Sequence, residues 1–366
     1  MQRVAVIGAG VVGSSIAFRL AQAGAEVWLL DRAQPGGGTT GSSFAWANAN
    51  QKTPRDYYEL NYAGLREHYR LREELGEAPW FHPEGNLMWD EDPTELKQRV
   101  ARLRDWDYAA EWRGAAEVSQ ELEPRLRFAA PETPVAFFPE EAWIEAPRLA
   151  AALIERGRAH GLTARFGDEV RAIERQGEQV AAVRLASGER IPVDAVVNAA
   201  GPGADRVAAL LDLPLPLGPT RGLLVRLAAA GAPLGRIAHT PGVNLRPDGP
   251  GHLLIHHESI DHQLGERTGI ALDDPLVAEL RRRALAALDG LGEAPVVAAR
   301  IGTRPLPVDG RSCLGAVSAA PGYYEAVTHS GVTLGPLLGR LLTGEILSGE
   351  VDPLAAPFRP DRFARQ

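Results

Sequence analysis

The run Gly8-Ala9-Gly10-Val11-Val12-Gly13 has the spacing G-x-G-x-x-G, between an apolar segment and a helical pattern. The first glycine permits a tight turn, the second lets a pyrophosphate approach the backbone, and the third lets helix and strand pack closely. The helix start adds free N–H groups and the positive end of its dipole. Asp31 follows Gly8 by 23 positions. At the end of the next strand its carboxylate can accept hydrogen bonds from a ribose. An acid rather than an arginine there disfavours a 2′-phosphate. The pattern predicts a dinucleotide site and leaves NAD and FAD both open.

Other reactive side chains are few. Lys52 and Lys97 are the only lysines, so nearly all positive charge is arginine, most of it expected at the solvated surface. Cys313 is the only cysteine, which excludes an intrachain disulfide and a multi-cysteine zinc site. It is expected to be a packed, inert small residue. His256-His257-Glu258 follows the apolar run Leu253–Ile255. Strand alternation would let only one of the two histidines face a cavity. His252 and His256 would share a face but stand roughly 13 Å apart, too far for one metal. No metal site is expected.

The elements that must position these residues are legible in outline. Residues 3–7 read as a buried strand, 11–23 as a helix and 26–30 as a second strand, a β-α-β unit that implies a parallel sheet. Residues 35–43 form a small-residue loop. Thr53-Pro54 opens a helix to about Gly76. Residues 80–145 are mixed, with a strand at 85–89 and a charged helix near 93–106. A helix over 146–160 ends at Gly161, and two antiparallel strands, 169–174 and 180–185, turn at Gly177. Residues 194–199 are a buried strand running into Ala200-Gly201. Residues 214–219 read as a proline-rich hinge. Short strands and one helix, about 275–288, fill 220–300. The segment 323–347 reads strand, glycine turn, helix.

The chain has 366 residues and a net charge of −8, from 39 basic and 47 acidic side chains, with no basic run. That gives no support for nucleic-acid or anionic-membrane binding. No stretch approaches the roughly 18 apolar residues of a spanning helix. The N-terminus lacks a secretory pattern, so a cytoplasmic location is expected.

Four separated blocks decide between the cofactors. The first is Gly8–Gly13 with Asp31-Arg32. The second is Thr39-Thr40-Gly41-Ser42-Ser43, followed by Ala47-Asn48-Ala49-Asn50. The third is Val170, then Asn198-Ala199-Ala200-Gly201. The fourth is Gly302-Thr303-Arg304-Pro305, Asp309-Gly310 and Leu314-Gly315, then His329-Ser330-Gly331-Val332-Thr333-Leu334-Gly335-Pro336. Across nearly its whole length the chain resembles the D-amino-acid oxidase superfamily of flavoproteins, which includes glycine oxidase, sarcosine oxidase and D-amino-acid dehydrogenases. The resemblance implies an α/β fold. A Rossmann-like FAD-binding domain (1–78, 146–217 and 300–366) would be interleaved with an α+β substrate domain on an antiparallel sheet (79–145 and 218–299).

The resemblance also implies roles. Gly8, Gly10, Val11, Val12, Gly13, Asp31 and Arg32 would hold the dinucleotide. Thr39, Thr40, Ser42, Ser43, Ala47, Asn48 and Ala49 would run along the flavin, with Val170, Ala200 and Gly201 beside it. His329, Ser330, Gly331, Val332, Thr333 and Leu334 would bring a helix N-terminus to the flavin pyrimidine. The chain has Ala45-Trp46-Ala47 where some relatives tether FAD through histidine, and Cys313 does not match the tethering cysteine of others. Non-covalent FAD is expected.

The implied chemistry is oxidation of a C–N bond, by hydride transfer to flavin N5 and hydrolysis of the imine. The protein must clamp a carboxylate, and an arginine does so through two parallel charge-assisted hydrogen bonds. Arg304 matches the family's carboxylate-binding arginine. The alternative for it is a structural pair with Asp309. Lys52 and Arg55 are similar to a basic pair of sarcosine oxidases. His257 or His256 would line the site, and Trp46 and Tyr324 could wall it. The family's active-site tyrosine and its flavin-side lysine are missing: Gly242-Val243-Asn244 and Thr333 stand there. That favours a glycine-type or N-carboxymethyl amino acid over free D-amino acids. Oxygen or another acceptor would reoxidise the flavin. A D-amino-acid oxidase or dehydrogenase, a hydroxy-acid oxidase of the same fold, an NAD dehydrogenase and a non-catalytic flavin-binding subunit are the other readings.

Overall fold

The computed structural model describes residues 1–231 and 234–364. A six-stranded sheet runs in the order Cys313–Ala316, Tyr323–Val327, Ala195–Asn198, Arg3–Ile7, Glu26–Asp31, Thr163–Phe166. It is parallel except at the Cys313–Ala316 edge. Side chains alternate between its faces. Val4 and Val6 meet the helices Val11–Gln22 and Ala146–Ala159. Ala5, Ile7 and Leu30 meet a small antiparallel sheet of Val170–Gln176, Gln179–Leu185 and Arg190–Pro192. Gly177 turns between the first two at φ +66°, as glycine allows.

A second, eight-stranded sheet has the order Val296–Pro307, Leu217–Ala228, His252–His256, Asn244–Pro247, Ile237–His239, Asn86–Met88, Pro134–Phe138, Glu111–Gly114. Every pair is antiparallel except Ile237–His239 with Asn86–Met88. One face is a hydrophobic core: Leu87, Leu223, Val225, Ala238, Leu245 and Ile255 pack with Val277, Leu280 and Ala284 of the helix Pro275–Ala287. The neighbouring positions Met88, Gly222, Leu224, His239, Asn244 and His256 therefore face the other way, into a cavity. Among the described residues no helix is long and apolar enough to cross a membrane.

Two segments differ from the sequence reading. The proline-rich stretch at 214–219 is a strand from Leu217 onward, not a hinge. There the strand pairs only with Val296–Pro307, because its other neighbour begins at Val225. A proline is tolerated where one edge carries no ladder partner. Residues 80–145 hold four short strands besides the predicted one's core at Asn86–Met88, each of two to five residues. Elements that short carry almost no periodicity.

Candidate active site

A cavity of about 650 Å³ runs from the Gly8–Gly13 loop to the open face of the eight-stranded sheet, in the usual size range for small-molecule sites. At its first end the glycines are sterically required. A Cβ on Gly13 would overlap the Gly8 carbonyl oxygen, and one on Gly8 would overlap that of Ala199. Gly8 also has φ +107°. The Asp31 carboxylate is fixed by two backbone N–H donors, from Ala9 (2.7 Å) and Ala33 (2.8 Å). It stays on the cavity wall with lone pairs to spare. Thr40 Oγ1 accepts from the N–H of Val11 at 3.0 Å, one of the first-turn donors of the helix Val11–Gln22.

A second helix N-terminus comes to the same cavity. The helix Gly331–Ser348 packs along Val11–Gln22 through a row of glycines. A Cβ on Gly331 would sit 3.4 Å from Val12, on Gly335 3.2 Å from the Val11 carbonyl, and on Gly339 2.6 Å from the Ser15 carbonyl. Gly339 has no room for a side chain and Gly335 little, and this close helix packing brings both helix starts to one cavity. The loop 39–43 is tied to the far sheet by Thr39 Oγ1, which donates to the Thr303 carbonyl.

At the second end, Arg304 donates from Nη2 to Asp261 Oδ2 at 2.9 Å, and the Leu223 N–H fixes the other Asp261 oxygen at 2.8 Å. A Cβ on Gly222 would overlap this guanidinium, so glycine makes its berth. Asp309, the partner considered from the sequence, pairs instead with Arg362. Arg304 keeps its remaining donors toward the cavity. His329 opens onto the cavity but is closely walled. Burial first, then the charges of Lys52 and Arg304, hold it down to about 4. Burial and Arg304 likewise keep His256 neutral. The Phe44 ring lies edge-on to His256 at 4.3 Å, and Trp46 lies 4.1 Å from His239.

Behind this wall is a buried network. Glu141 accepts from Trp46 Nε1 (2.7 Å), Asn50 Nδ2 (2.9 Å), Asn86 Nδ2 (2.9 Å) and the Tyr108 hydroxyl (2.7 Å). Burial pushes the Glu141 carboxyl up to about 7, although all four donors favour its ionised form. Asn86 Oδ1 pairs with His239 Nδ1 at 2.8 Å. Since Asn86 Nδ2 serves Glu141, the Oδ1 accepts and His239 Nδ1 carries the proton. His239 Nε2 then holds a lone pair. Burial keeps His239 neutral, down to about 3. Glu141→Gln keeps the shape and removes acceptors. The expected loss is about 2–5 kcal/mol of stability, read from the urea midpoint.

The structure gathers most of the sequence candidates around one cavity. Gly8, Gly10, Val11, Val12, Asp31, Thr39, Thr40, Ser42, Ser43 and Asn48 line the cavity, as do Ala200, Gly201 and the run His329, Ser330, Gly331, Val332, Thr333. Lys52, His257 and Arg304 line it too. Gly13, Ala47, Ala49 and Leu334 lie one layer behind. Val170 packs in the core with Ile7 and Leu30, and Arg32 extends toward Glu169.

Three expectations need correction. Arg55 is half exposed, pairs with Glu59 and lies over Trp106, because it is the first residue of the helix Arg55–Leu75 and points off the cavity side. The alternation argument for His256 and His257 fails because the strand ends at His256, so both line the cavity. His257 caps the short helix Glu258–Asp261, its Nδ1 accepting from the Ser259 N–H. Tyr324 packs away from the cavity, while Trp46 does wall it. Cys313, by contrast, is packed as expected: it is buried among Ala204, Leu215 and Val327, and burial pushes its thiol up.

Lys52 makes a testable contribution. Its ammonium lies over Tyr57, and burial lowers it to about 8 against the pull of Glu141. Below that pH it is a cation, and above it neutral. A carboxylate held in part by Lys52 is bound more weakly as pH rises through about 8. The dissociation constant of such a ligand is expected to rise by up to about tenfold between pH 7 and 9, and Lys52→Met to flatten that limb.

The family model described as DAO, FAD dependent oxidoreductase, matches residues 3–344. A glycine oxidase of Pseudomonas aeruginosa is 29% identical over 380 residues, covering 98% of this chain and 98% of the relative. A glycine oxidase of Pseudomonas putida is 26% identical over 374 residues, with 98% of each covered. The crystal structure of glycine oxidase from Geobacillus kaustophilus superposes with a TM-score of 0.85 over 99% of both chains, at 25% identity. FAD fits the residues present. The Gly8–Gly13 cradle has no room for side chains, Asp31 presents free lone pairs, and two helix starts converge on one elongated cavity. A match over nearly the whole length, joined to that cradle, means that the chain belongs to the DAO family of FAD-dependent oxidoreductases.

Proposed function

We propose that the protein oxidises the C–N bond of an amino acid, with a glycine-type or N-carboxymethyl amino acid as its substrate, using non-covalent FAD. Bound FAD supplies the hydride acceptor for the carbon next to nitrogen. The observation that carries the reading is Arg304, held by Asp261 in the berth that Gly222 leaves, with its free donors facing the cavity. A substrate carboxylate there receives two parallel hydrogen bonds. His239, His256 and His329 are neutral, so they add no positive charge that would disfavour an amine. His239 Nε2 can accept from an amine N–H. Phe44 and Trp46 keep that side of the cavity apolar. Such a site works by orientation and exclusion of water more than by a strong base.

Non-covalent binding is supported by the absence of histidine from Ala45-Trp46-Ala47 and by the packing of Cys313 away from the cavity. The division into a FAD domain and a substrate domain is supported by the two large sheets, each with its own core. The identity of the products tests the substrate class. An N-carboxymethyl amine should yield glyoxylate and the freed amine, one of each per flavin reduced. Preferential formation of a 2-oxo acid and ammonia from D-amino acids would replace this reading with the D-amino-acid one.

A further inference from the structure

The cavity contains a second guanidinium that has no carboxylate partner among the described residues. Arg99, on the helix Thr94–Asp105, lines the same cavity as Arg304. Among the described residues its one hydrogen bond goes to Met88 Sδ at 3.3 Å, a weak acceptor, and it forms no ion pair. Burial lowers its pKa. The charge of Asp90, another wall residue, acts to keep it ionised without a hydrogen bond between them. Arg246, a more deeply buried arginine of this region, is by contrast committed to Asp248 and to the Phe44 carbonyl. A half-buried guanidinium without a partner is costly, and the cost is recovered when an anion arrives.

Its position gives the second observation. His256 stands opposite Asn244, Asn244 opposite His239, and His239 beside Met88, on four consecutive strands. These residues form one row across the cavity floor, about 14 Å from end to end at the spacing of neighbouring strands. The charge of Arg304 acts on His256 at one end. At the other, Arg99 rests on Met88 and its charge acts on His239. Two cations thus flank a floor of neutral side chains, His256, Asn244, His239 and Met88, with the carboxylates of Glu258, beside Asn244, and Asp90 at its margin.

We infer that Arg99 forms a second carboxylate subsite, and that the substrate is a dicarboxylic amine. One carboxylate lies on Arg304, the other on Arg99, and the nitrogen sits above the neutral floor between them. N-carboxyalkyl amino acids are this class, with iminodiacetate its smallest member. The inference rests on the reading of Arg304 as the first carboxylate site. It explains why a cavity without the family's tyrosine is not simply larger: the added room ends in a cation.

Calorimetric titration of the holoenzyme tests this without turnover. Thiodiacetate carries two carboxylates on either side of a sulfur and has no C–N bond to oxidise; (methylthio)acetate keeps only one. The wild-type protein should bind thiodiacetate about 10–100-fold more tightly, the usual worth of one charge-assisted contact. In Arg99→Gln that ratio should fall to within about threefold, through loss of thiodiacetate affinity, with FAD content and circular dichroism unchanged. Arg99→Lys should restore part of it. Equal affinities in the wild type, binding of neither thioether, or a ratio that survives Arg99→Gln would each overturn the subsite. The underlying reading fails separately: Arg304→Met would then leave (methylthio)acetate binding unaltered, whatever happens at Arg99.

Discussion

Arg304→Met should raise the dissociation constant of a carboxylate ligand by about 100-fold or more while FAD stays bound. The magnitude follows from truncating one side of a desolvated charge pair, which costs about 2–5 kcal/mol. Two features make the effect specific to the ligand. Arg304 faces the cavity from the strand Val296–Pro307, not from the dinucleotide loop. It is also held from behind, so its free donors are preoriented. The substitution strands Asp261, whose carboxyl is already raised by burial. Arg304→Met combined with Asp261→Asn removes that complication and should bind the ligand equally poorly with better stability. Arg304→Lys should recover only part of the affinity, because an ammonium cannot make the paired contact. The readout is a ligand titration on protein of matched flavin content.

Gly13→Ala should abolish retention of FAD. The new methyl would overlap the Gly8 carbonyl oxygen, a backbone group that cannot step aside as a side chain can. The turn must open, and the pyrophosphate cradle opens with it. Gly10→Ala separates cofactor loss from misfolding. Its Cβ would meet only the Thr40 hydroxyl, at 3.0 Å, a side chain able to rotate. That variant should fold normally yet bind FAD at least tenfold more weakly, since the methyl points where a phosphate must approach. Absorbance at the flavin band per mole of purified protein measures both.

The residues legible from the opening motif alone share a property: each is fixed by local chain geometry. Gly8, Gly10 and Gly13 are read from a turn, and Asp31 from the end of the following strand. What sequence reasoning missed depends on contacts between distant segments. Glu141 and Glu140 are adjacent and look alike in sequence. Glu141 is fully buried and gathers Trp46, Asn50, Asn86 and Tyr108 from three segments, while Glu140 accepts from the Tyr62 hydroxyl nearer the surface. Nothing in their spacing separates them. Arg304 was found through a family pattern, but its partner lies 43 positions away at Asp261, not at Asp309 five positions on. Lys52 and Arg55 differ because one lies in the turn before a helix and the other within its first turn. Arg99 carried no signal, being one arginine on a charged helix. The glycine row Gly331, Gly335, Gly339 was visible at spacing four, yet its meaning required the neighbouring helix.

The most direct test of the account is anaerobic mixing of the holoenzyme with glycine, sarcosine, iminodiacetate and other N-carboxymethyl amino acids, and D-amino acids, followed at the flavin band near ~450 nm. The account predicts rapid bleaching by amines that carry a carboxylate on the carbon next to nitrogen, fastest for the N-carboxymethyl class. The bleaching should be suppressed in Arg304→Met at the same concentrations. A flavin that no amine of this panel bleaches, or one bleached equally well without Arg304, would contradict it.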